Sequence, residues 1–241
     1  MQAALRGESN HGPVQLLLLP RNGGPAEQAL AETAAAQGIP IWYGGAGDLR
    51  RMSPDSSAPT TALALLGASP HASMPALLDR AGLCWLLHEP AYPSNVGFII
   101  RTAEVSGADG VIIDAPTFNR EARSRASHVS MGADRVMPVL WTSTDHVLEQ
   151  ATRRGTRIIA LEDSGQRAPH QVDLTEPVVL VVGNERHGIP HWLREQCADV
   201  VRIPMLGFVP SYSVQAAVAA LSWERLRQLA SAHLEPLAVG R

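Results

Sequence analysis

The chain has little of several things, and each shortage removes a class of protein. Cysteine occurs twice in 241 residues, at Cys84 and Cys197, too few for a disulfide framework or a cysteine-rich zinc site. Charged residues make up 18% of the chain, below the typical ~25%. Neither sign dominates: 20 basic and 23 acidic side chains leave a net charge of −3. The pI near 6.3 is far from the value above ~9 expected of a dedicated nucleic-acid-binding domain, so any contact with RNA or DNA must be a local patch. No apolar run approaches the ~18 residues a membrane span needs; the Val14–Leu19 stretch spans six residues with Gln15 among them and reads as a strand. The opening Met-Gln-Ala-Ala-Leu-Arg-Gly-Glu lacks a signal-peptide pattern. A cytoplasmic location and no membrane partner are the expectation.

What is present describes an ordinary α/β protein. The 45% of apolar residues suffice for at least one full core. The 20 glycines and 18 prolines exclude a coiled coil and imply many turns. At ~150 residues per domain, the length predicts between one and two domains. In a first segment, residues 1–75 including a linker, Val14–Pro20, Ile39–Tyr43 and Thr61–Leu66 read as strands. A helix begins at Pro25 after Gly24, carries Glu27 in its first turn, and stops before Gly38. Ser53–Thr60 reads as a loop, and Ala68–Pro75 has linker composition. A second segment, residues 76–241, alternates strand and helix patterns. Its strand candidates are Leu83–Leu87, Gly110–Ile113, Arg135–Val139, Arg157–Leu161, Val178–Val182 and Val200–Ile203. That alternation predicts a parallel sheet covered by helices on both faces. The tail after Leu234 reads as frayed.

Two tempting signals fail. Gly44-Gly45-Ala46-Gly47 resembles a dinucleotide loop, but the third glycine would fall at Arg50 and no capped helix follows promptly, so a surface turn is expected. His187 and His191 are four apart, yet Pro190 interrupts a shared helix and the zinc pattern's carboxylate is missing. No metal is expected.

Three stretches carry chemistry. In Ser94–Ala103, Val96, Ile99, Ile100 and Ala103 form an i, i+3, i+4, i+7 stripe, which predicts a helix packed on the sheet. Arg101 lies on the far side, so it reads either as a solvated arginine or as a guanidinium aimed at phosphate; Asn95 reads as a cap or as a site residue. The wholly apolar Val178–Val182 runs into Gly183-Asn184-Glu185-Arg186-His187-Gly188-Ile189. Open α/β sheets hold ligands at such carboxyl ends, and Gly183 permits close backbone approach, although a plain strand-to-helix loop fits as well. Ile203–Val214 is an irregular loop leading into a long helix with Val214, Ala217, Val218 and Leu221 as its buried stripe. Ser211 or Ser213 caps that helix or serves the site.

In this order and spacing, the three stretches resemble the motifs of the SpoU (TrmH-like) family of RNA 2′-O-ribose methyltransferases, of the SPOUT class. The resemblance runs from about Leu83 to Leu229. The first motif, N-x-G-x-I-x-R, matches at Asn95, Gly97, Ile99 and Arg101. The second, G-x-E-x-x-G, matches at Gly183, Glu185 and Gly188. The third matches at Ile203, Pro204, Met205, Gly207, Ser211 and Val214. The resemblance implies a SPOUT-type catalytic domain with a deep trefoil knot, preceded by a small α/β domain that looks like the L30e-like RNA-recognition domain. It implies S-adenosylmethionine (SAM) as methyl donor, without metal, held by Gly183, Ile203, Met205 and Tyr212. It implies a homodimer with active sites near the interface, acting on ribosomal or transfer RNA. The catalytic group carried over is Arg101, with Asn95, Glu185, Ser211 and Ser213 around it. Ser213 departs from the family's asparagine, and a hydroxyl reaches less far than an amide. Arg120, Arg123 and Arg125 are candidates for phosphate contacts. The competing readings are a non-catalytic RNA- or SAM-binding module of the same fold, and a methyltransferase with a non-RNA substrate.

Overall fold

The computed structural model describes residues 1–8, 13–53, 61–67, 69–80, 82–209 and 211–233. The chain divides into two compact units, the first Met1–Ser69 and the second Pro70–Glu235. The expected Ser53–Thr60 loop and the tail after Leu234 lie largely or wholly outside the described residues.

The first unit contains α1 (Gln2–Leu5), β1 (Val14–Pro20), α2 (Pro25–Ala36), β2 (Ile41–Gly44), α3 (Ala46–Met52) and β3 (Leu63–Leu66). Its sheet has the order β2-β1-β3, with β2 parallel and β3 antiparallel to β1. The leucine-rich stretch Val14–Leu19 lies in the central strand, and Leu17 and Leu19 are its buried anchors. The reading of Gly44–Gly47 as a surface turn is corrected here: Gly45 is the N-cap of α3, and Asp48 accepts its N–H at 3.0 Å. A carboxylate three residues after the cap satisfies a donor that the helix itself leaves open.

The second unit contains α4 (Met74–Leu78), β4 (Leu83–His88), α5 (Pro93–Val105), β5 (Gly110–Asp114), α6 (Arg120–Val129), β6 (Val139–Trp141), α7 (Thr144–Arg154), β7 (Arg157–Leu161), β8 (Val178–Val182), α8 (His191–Arg194), β9 (Asp199–Val201) and α9 (Val214–His233). All six strands are parallel, in the order β6-β5-β4-β8-β7-β9. Helices cover both faces. On one, α5 and α9 bury Val96, Ile99, Ile100, Val218 and Leu221 against Trp85, Leu87 and Leu180. On the other, Leu77, Val147 and Leu193 pack on Leu86 and Val179. Each fully buried aliphatic side chain of this kind is worth roughly 1.5–3 kcal/mol over exposure.

The expected strand Arg135–Val139 is corrected: Ala133–Arg135 is a 3₁₀ turn and β6 starts at Val139. Pro138 has no N–H for the ladder and joins only through its carbonyl, which accepts the Val111 N–H at 3.0 Å. The last strand covers Asp199–Val201 rather than Val200–Ile203, so Ile203 leaves the sheet just before Pro204. The segment of linker composition is partly helix, because Ser73 caps Met74–Leu78. Gly97 lets α5 meet α6: a Cβ there would sit 2.4 Å from the Ala126 carbonyl oxygen and 2.6 Å from Val129 Cβ.

Candidate active site

The strand order reverses between β4 and β8, which are neighbours although 95 residues apart by register (for example Leu83 beside Val178). Such a switch point leaves a crevice outside the carboxyl ends of the strands. A cleft of about 760 Å³ opens there, a volume suited to a small ligand. It takes residues from the segments after β4, β7 and β8 and from the loop ahead of α9.

The turn after β8 is tightly specified. Asn184 and Gly188 exchange backbone hydrogen bonds of 3.2 and 2.8 Å, and Gly188 adopts φ +66°, a left-handed conformation open to glycine. The Asn184 Oδ1 accepts the Arg186 N–H at 2.9 Å, while its Nδ2 donates to the Glu89 carbonyl at 2.7 Å. Gly183 runs against the backbone of the same turn; a Cβ would fall 2.3 Å from the Gly188 carbonyl carbon and oxygen. This folding aims Glu185 at the start of α5. Its Oε1 accepts from Asn95 Nδ2 at 2.6 Å and its Oε2 from the Ala91 N–H at 2.7 Å. Both carboxylate oxygens are thus committed, and the Asn95 amide is oriented with Oδ1 left as an acceptor.

Glu162, at the end of β7, forms another wall of the cleft, and its Oε2 accepts the Ile189 N–H at 2.8 Å. Burial pushes its carboxyl above the usual range, helped by neighbouring Asp163 and opposed by the Ile189 hydrogen bond. A raised folded-state pKa means the folded chain holds the proton more tightly than the unfolded chain. This group's contribution to stability is therefore present below the unfolded-state pKa and is lost as pH rises through the folded-state value. Glu162→Gln, neutral at every pH, is expected to gain thermal stability over wild type progressively as pH rises above the ordinary glutamate value of ~4.3. A melting difference that does not change with pH would contradict this origin.

The third stretch completes the cleft. Ile203, Met205, Ser211, Tyr212 and Ser213 all line it. The Tyr212 hydroxyl reaches the Pro204 carbonyl at 3.5 Å, and the Ser213 carbonyl accepts the Ala216 and Ala217 N–H groups at 2.9 and 3.1 Å, opening α9.

Of the residues singled out from sequence, Asn95, Gly183, Glu185, Ile203, Met205, Ser211, Tyr212 and Ser213 come together in this cleft. Arg101 does not join them. It lies on the exposed side of α5, in a groove with Phe98, Val105, Gln215, Trp223 and Leu226. Within one chain, then, Glu185 orients Asn95 and leaves Arg101 untouched. Arg120 and Arg123 border a separate groove in which the Arg123 guanidinium stacks over Trp141 at 4.5 Å, while Arg125 is exposed on α6 outside it. Sequence reasoning overlooked Glu162, Tyr92 and Arg186 as cleft residues. The available signals were adjacency to a strand end for Glu162, and to the first two motifs for Tyr92 and Arg186. Among the described residues no cluster of three or more His, Cys, Asp or Glu could hold a metal ion, and no helix is long and apolar enough to cross a membrane.

Comparison with known proteins shows the family. The model of the SpoU rRNA Methylase family matches residues 82–223, more than half of the chain. A protein of Mycobacterium ulcerans (strain Agy99) described as an uncharacterized tRNA/rRNA methyltransferase is 33% identical over 206 residues, covering 82% of this chain and 66% of its own length. The 23S rRNA (guanosine-2'-O-)-methyltransferase RlmB of Pseudomonas aeruginosa is 34% identical over 140 residues, 56% of this chain and 55% of the relative. The chain thus spans between about half and two thirds of these curated relatives. Among solved structures, the SpoU methyltransferase AviRb from Streptomyces viridochromogenes, in complex with AdoMet, superposes with a TM-score of 0.60 at 25% identity, covering 95% of this chain and 88% of the other.

Proposed function

Because the chain belongs to the SpoU rRNA methylase family, we propose that it transfers a methyl group from S-adenosylmethionine to a ribose 2′-hydroxyl of ribosomal or transfer RNA. The observation that carries this reading is the Glu185 carboxylate bound to Asn95 Nδ2 at 2.6 Å, which joins the first two motifs at the switch point of the sheet. The cleft suits the donor. Leu161, Val182, Ile203 and Val214 offer apolar walls for an adenine ring, and the glycine-bounded turn exposes backbone groups at Gly183. SAM supplies a methyl group already activated on a sulfonium.

The remaining task belongs to the chain. A ribose hydroxyl is a poor nucleophile at neutral pH, so it must be aligned and relieved of its proton. Asn95 Oδ1 is oriented to accept from that hydroxyl. Ser211 and Ser213 supply further hydroxyls lining the cleft. Arg101 is the group for charge stabilisation, since a guanidinium is a cation that donates hydrogen bonds and accepts none. It reaches a cleft if the protein is a homodimer. The face around Arg101 supports this: Phe98, Val105 and Trp223 are 40%, 75% and 64% exposed, an apolar patch suited to a second copy. In that dimer, one protomer's Arg101 serves the partner's cleft.

Two further readings rest on the same resemblance. A trefoil knot is implied by that resemblance, and the connection after β7 packs tightly on the end of β9, where a Cβ at Gly165 would fall 2.7 Å from the Val200 carbonyl oxygen. The first unit, with its three-stranded sheet, is proposed as the L30e-like RNA-recognition domain, and Arg120 and Arg123 as additional phosphate contacts. Arg125, on another side of α6, would join them only through a wrapped strand.

Incubation with labelled SAM and unmodified total RNA, followed by alkaline digestion, tests the assignment. A 2′-O-methyl group blocks cleavage at its own linkage, so label is expected in alkali-resistant dinucleotides. Label in mononucleotides would mean base methylation. No label from a protein that still binds SAM would favour the non-catalytic module or a non-RNA substrate. At Ser213, restoring the family's asparagine by Ser213→Asn is expected to raise turnover several-fold through the amide's longer reach; an unchanged rate would sink that account.

A further inference from the structure

The cleft contains a fixed positive charge that the family motifs do not account for. The chain has no lysine, so all 20 of its basic Lys/Arg positions are arginine. Among the described residues lining the cleft, only Arg186 is an arginine. It is exposed, and it is held at both ends. Its backbone N–H donates to Asn184 Oδ1 at 2.9 Å. Its side chain donates to the Tyr92 hydroxyl from Nε at 3.3 Å and from Nη2 at 3.0 Å, with the guanidinium carbon 5.6 Å from the Tyr92 ring centre. Tyr92 is itself fixed as the N-cap residue of α5, three positions before Asn95.

This geometry has a chemical consequence. A guanidinium carries five N–H donors in a rigid fork. The tyrosine hydroxyl takes one from Nε and one from Nη2. The Nη1 donors and the second Nη2 donor have no protein acceptor among the described residues. Two of these lie parallel along one edge, the arrangement that meets two oxygens of a phosphate or carboxylate. The neighbouring Glu185 acts on Arg186 through its charge, while the hydrogen bonds of its two oxygens go to Asn95 and Ala91 and not to the guanidinium.

We propose that Arg186 is a phosphate-binding residue of the cleft, anchoring an RNA phosphodiester next to the reacting ribose, and that Tyr92 is the positioning residue that presents it. The inference rests on the RNA methyltransferase reading above. It differs from the motif-based roles in assigning the anchor to this chain's own cleft, on the same protomer as Asn95. A phosphodiester fits better than the donor's carboxylate because the pair stands on the exposed lip, with Tyr92 44% exposed.

The test compares wild type with Arg186→Ala, Arg186→Lys and Tyr92→Phe. The probe is a transcript of the RNA that takes up label, and binding is measured with S-adenosylhomocysteine present, over about 50–200 mM salt. SAM binding is measured separately by calorimetry. Arg186→Ala is expected to raise the RNA Kd and KM about tenfold and to lower the slope of log affinity against log salt by about 0.7–0.9, one phosphate contact. Its kcat and SAM affinity stay within about twofold. Arg186→Lys restores the salt slope but not the full affinity, since an ammonium lacks the fork. Tyr92→Phe falls between. Unchanged RNA affinity and slope in Arg186→Ala, with wild type methylating normally, overturns this inference alone. Loss of SAM affinity with RNA affinity kept assigns the oxyanion to the donor's carboxylate and also overturns it. A wild-type protein that labels no RNA, and binds no unmodified total RNA at low salt, overturns both this inference and the functional reading.

Discussion

Two inactive variants, Arg101→Ala and Asn95→Ala, are expected to recover about one quarter of wild-type methyl transfer when mixed and allowed to exchange subunits. Each alone should fall by at least ~10²-fold, because in the proposed mechanism each removes a group that orients or stabilises the reacting hydroxyl. The recovery follows from where the two side chains sit. Asn95 lines the cleft with Glu185, whereas Arg101 lies in the groove beside Trp223 on the exposed side of α5. A site that needs both must draw them from different protomers. Random exchange makes half of the dimers mixed, and each mixed dimer has one intact site out of two. Separation of the two inactive chains by a tag, with mixed dimers counted by mass, checks that exchange has occurred. Mixed dimers without activity, or an Arg101→Ala chain that stays active, would remove the shared-site dimer.

Gly183→Ala is expected to cost about 3 kcal/mol or more in stability and to weaken SAM binding by over ~100-fold. The added Cβ would fall 2.3 Å from both the Gly188 carbonyl carbon and its oxygen, and 2.5 Å from the Ile189 nitrogen. All three are backbone atoms, so no side-chain rotation relieves the contact. The turn has to open, which separates the Asn184–Gly188 pair and carries Glu185 away from Asn95. Gly47→Ala in α3 is the matched control, since a Cβ there meets nothing within 4 Å. It should be neutral or stabilising by about 0.5–1 kcal/mol, as alanine is the better helix former. Thermal melting and calorimetric titration of the donor read both. A Gly183→Ala protein that binds SAM like wild type would show that the turn yields, and would remove Gly183 from the binding role.

The residues at which sequence and structure agree share one property: what decides them lies within a few positions along the chain. The stripe of Val96, Ile99, Ile100 and Ala103 is a statement about ~100° per residue, and all four are buried on α5. The apolar run Val178–Val182 is a statement about a strand covered on both faces, and it is the buried strand β8. The same locality explains the errors. At Gly45 the cap is completed by Asp48, a short-range pairing that a glycine pattern does not encode. At Arg135–Val139 the proline at 138 moves the strand start.

Strand order is of another kind. It brings Asn95 to Glu185 across 90 residues and Tyr92 to Arg186 across 94. No periodicity encodes which two loops a sheet will set side by side, because that depends on which strands pair. The same holds for Arg101. Its sequence determined that it faces away from the buried stripe of α5. Only the packing of α9 decided what stands beside it, an apolar groove edged by Trp223 rather than the cleft. The motifs by themselves therefore determined the family and most of the cleft. The tertiary structure decided that one chain holds Asn95 and Glu185 together and Arg101 apart, because contacts between distant segments are fixed by the fold's topology and not by local turns of the backbone.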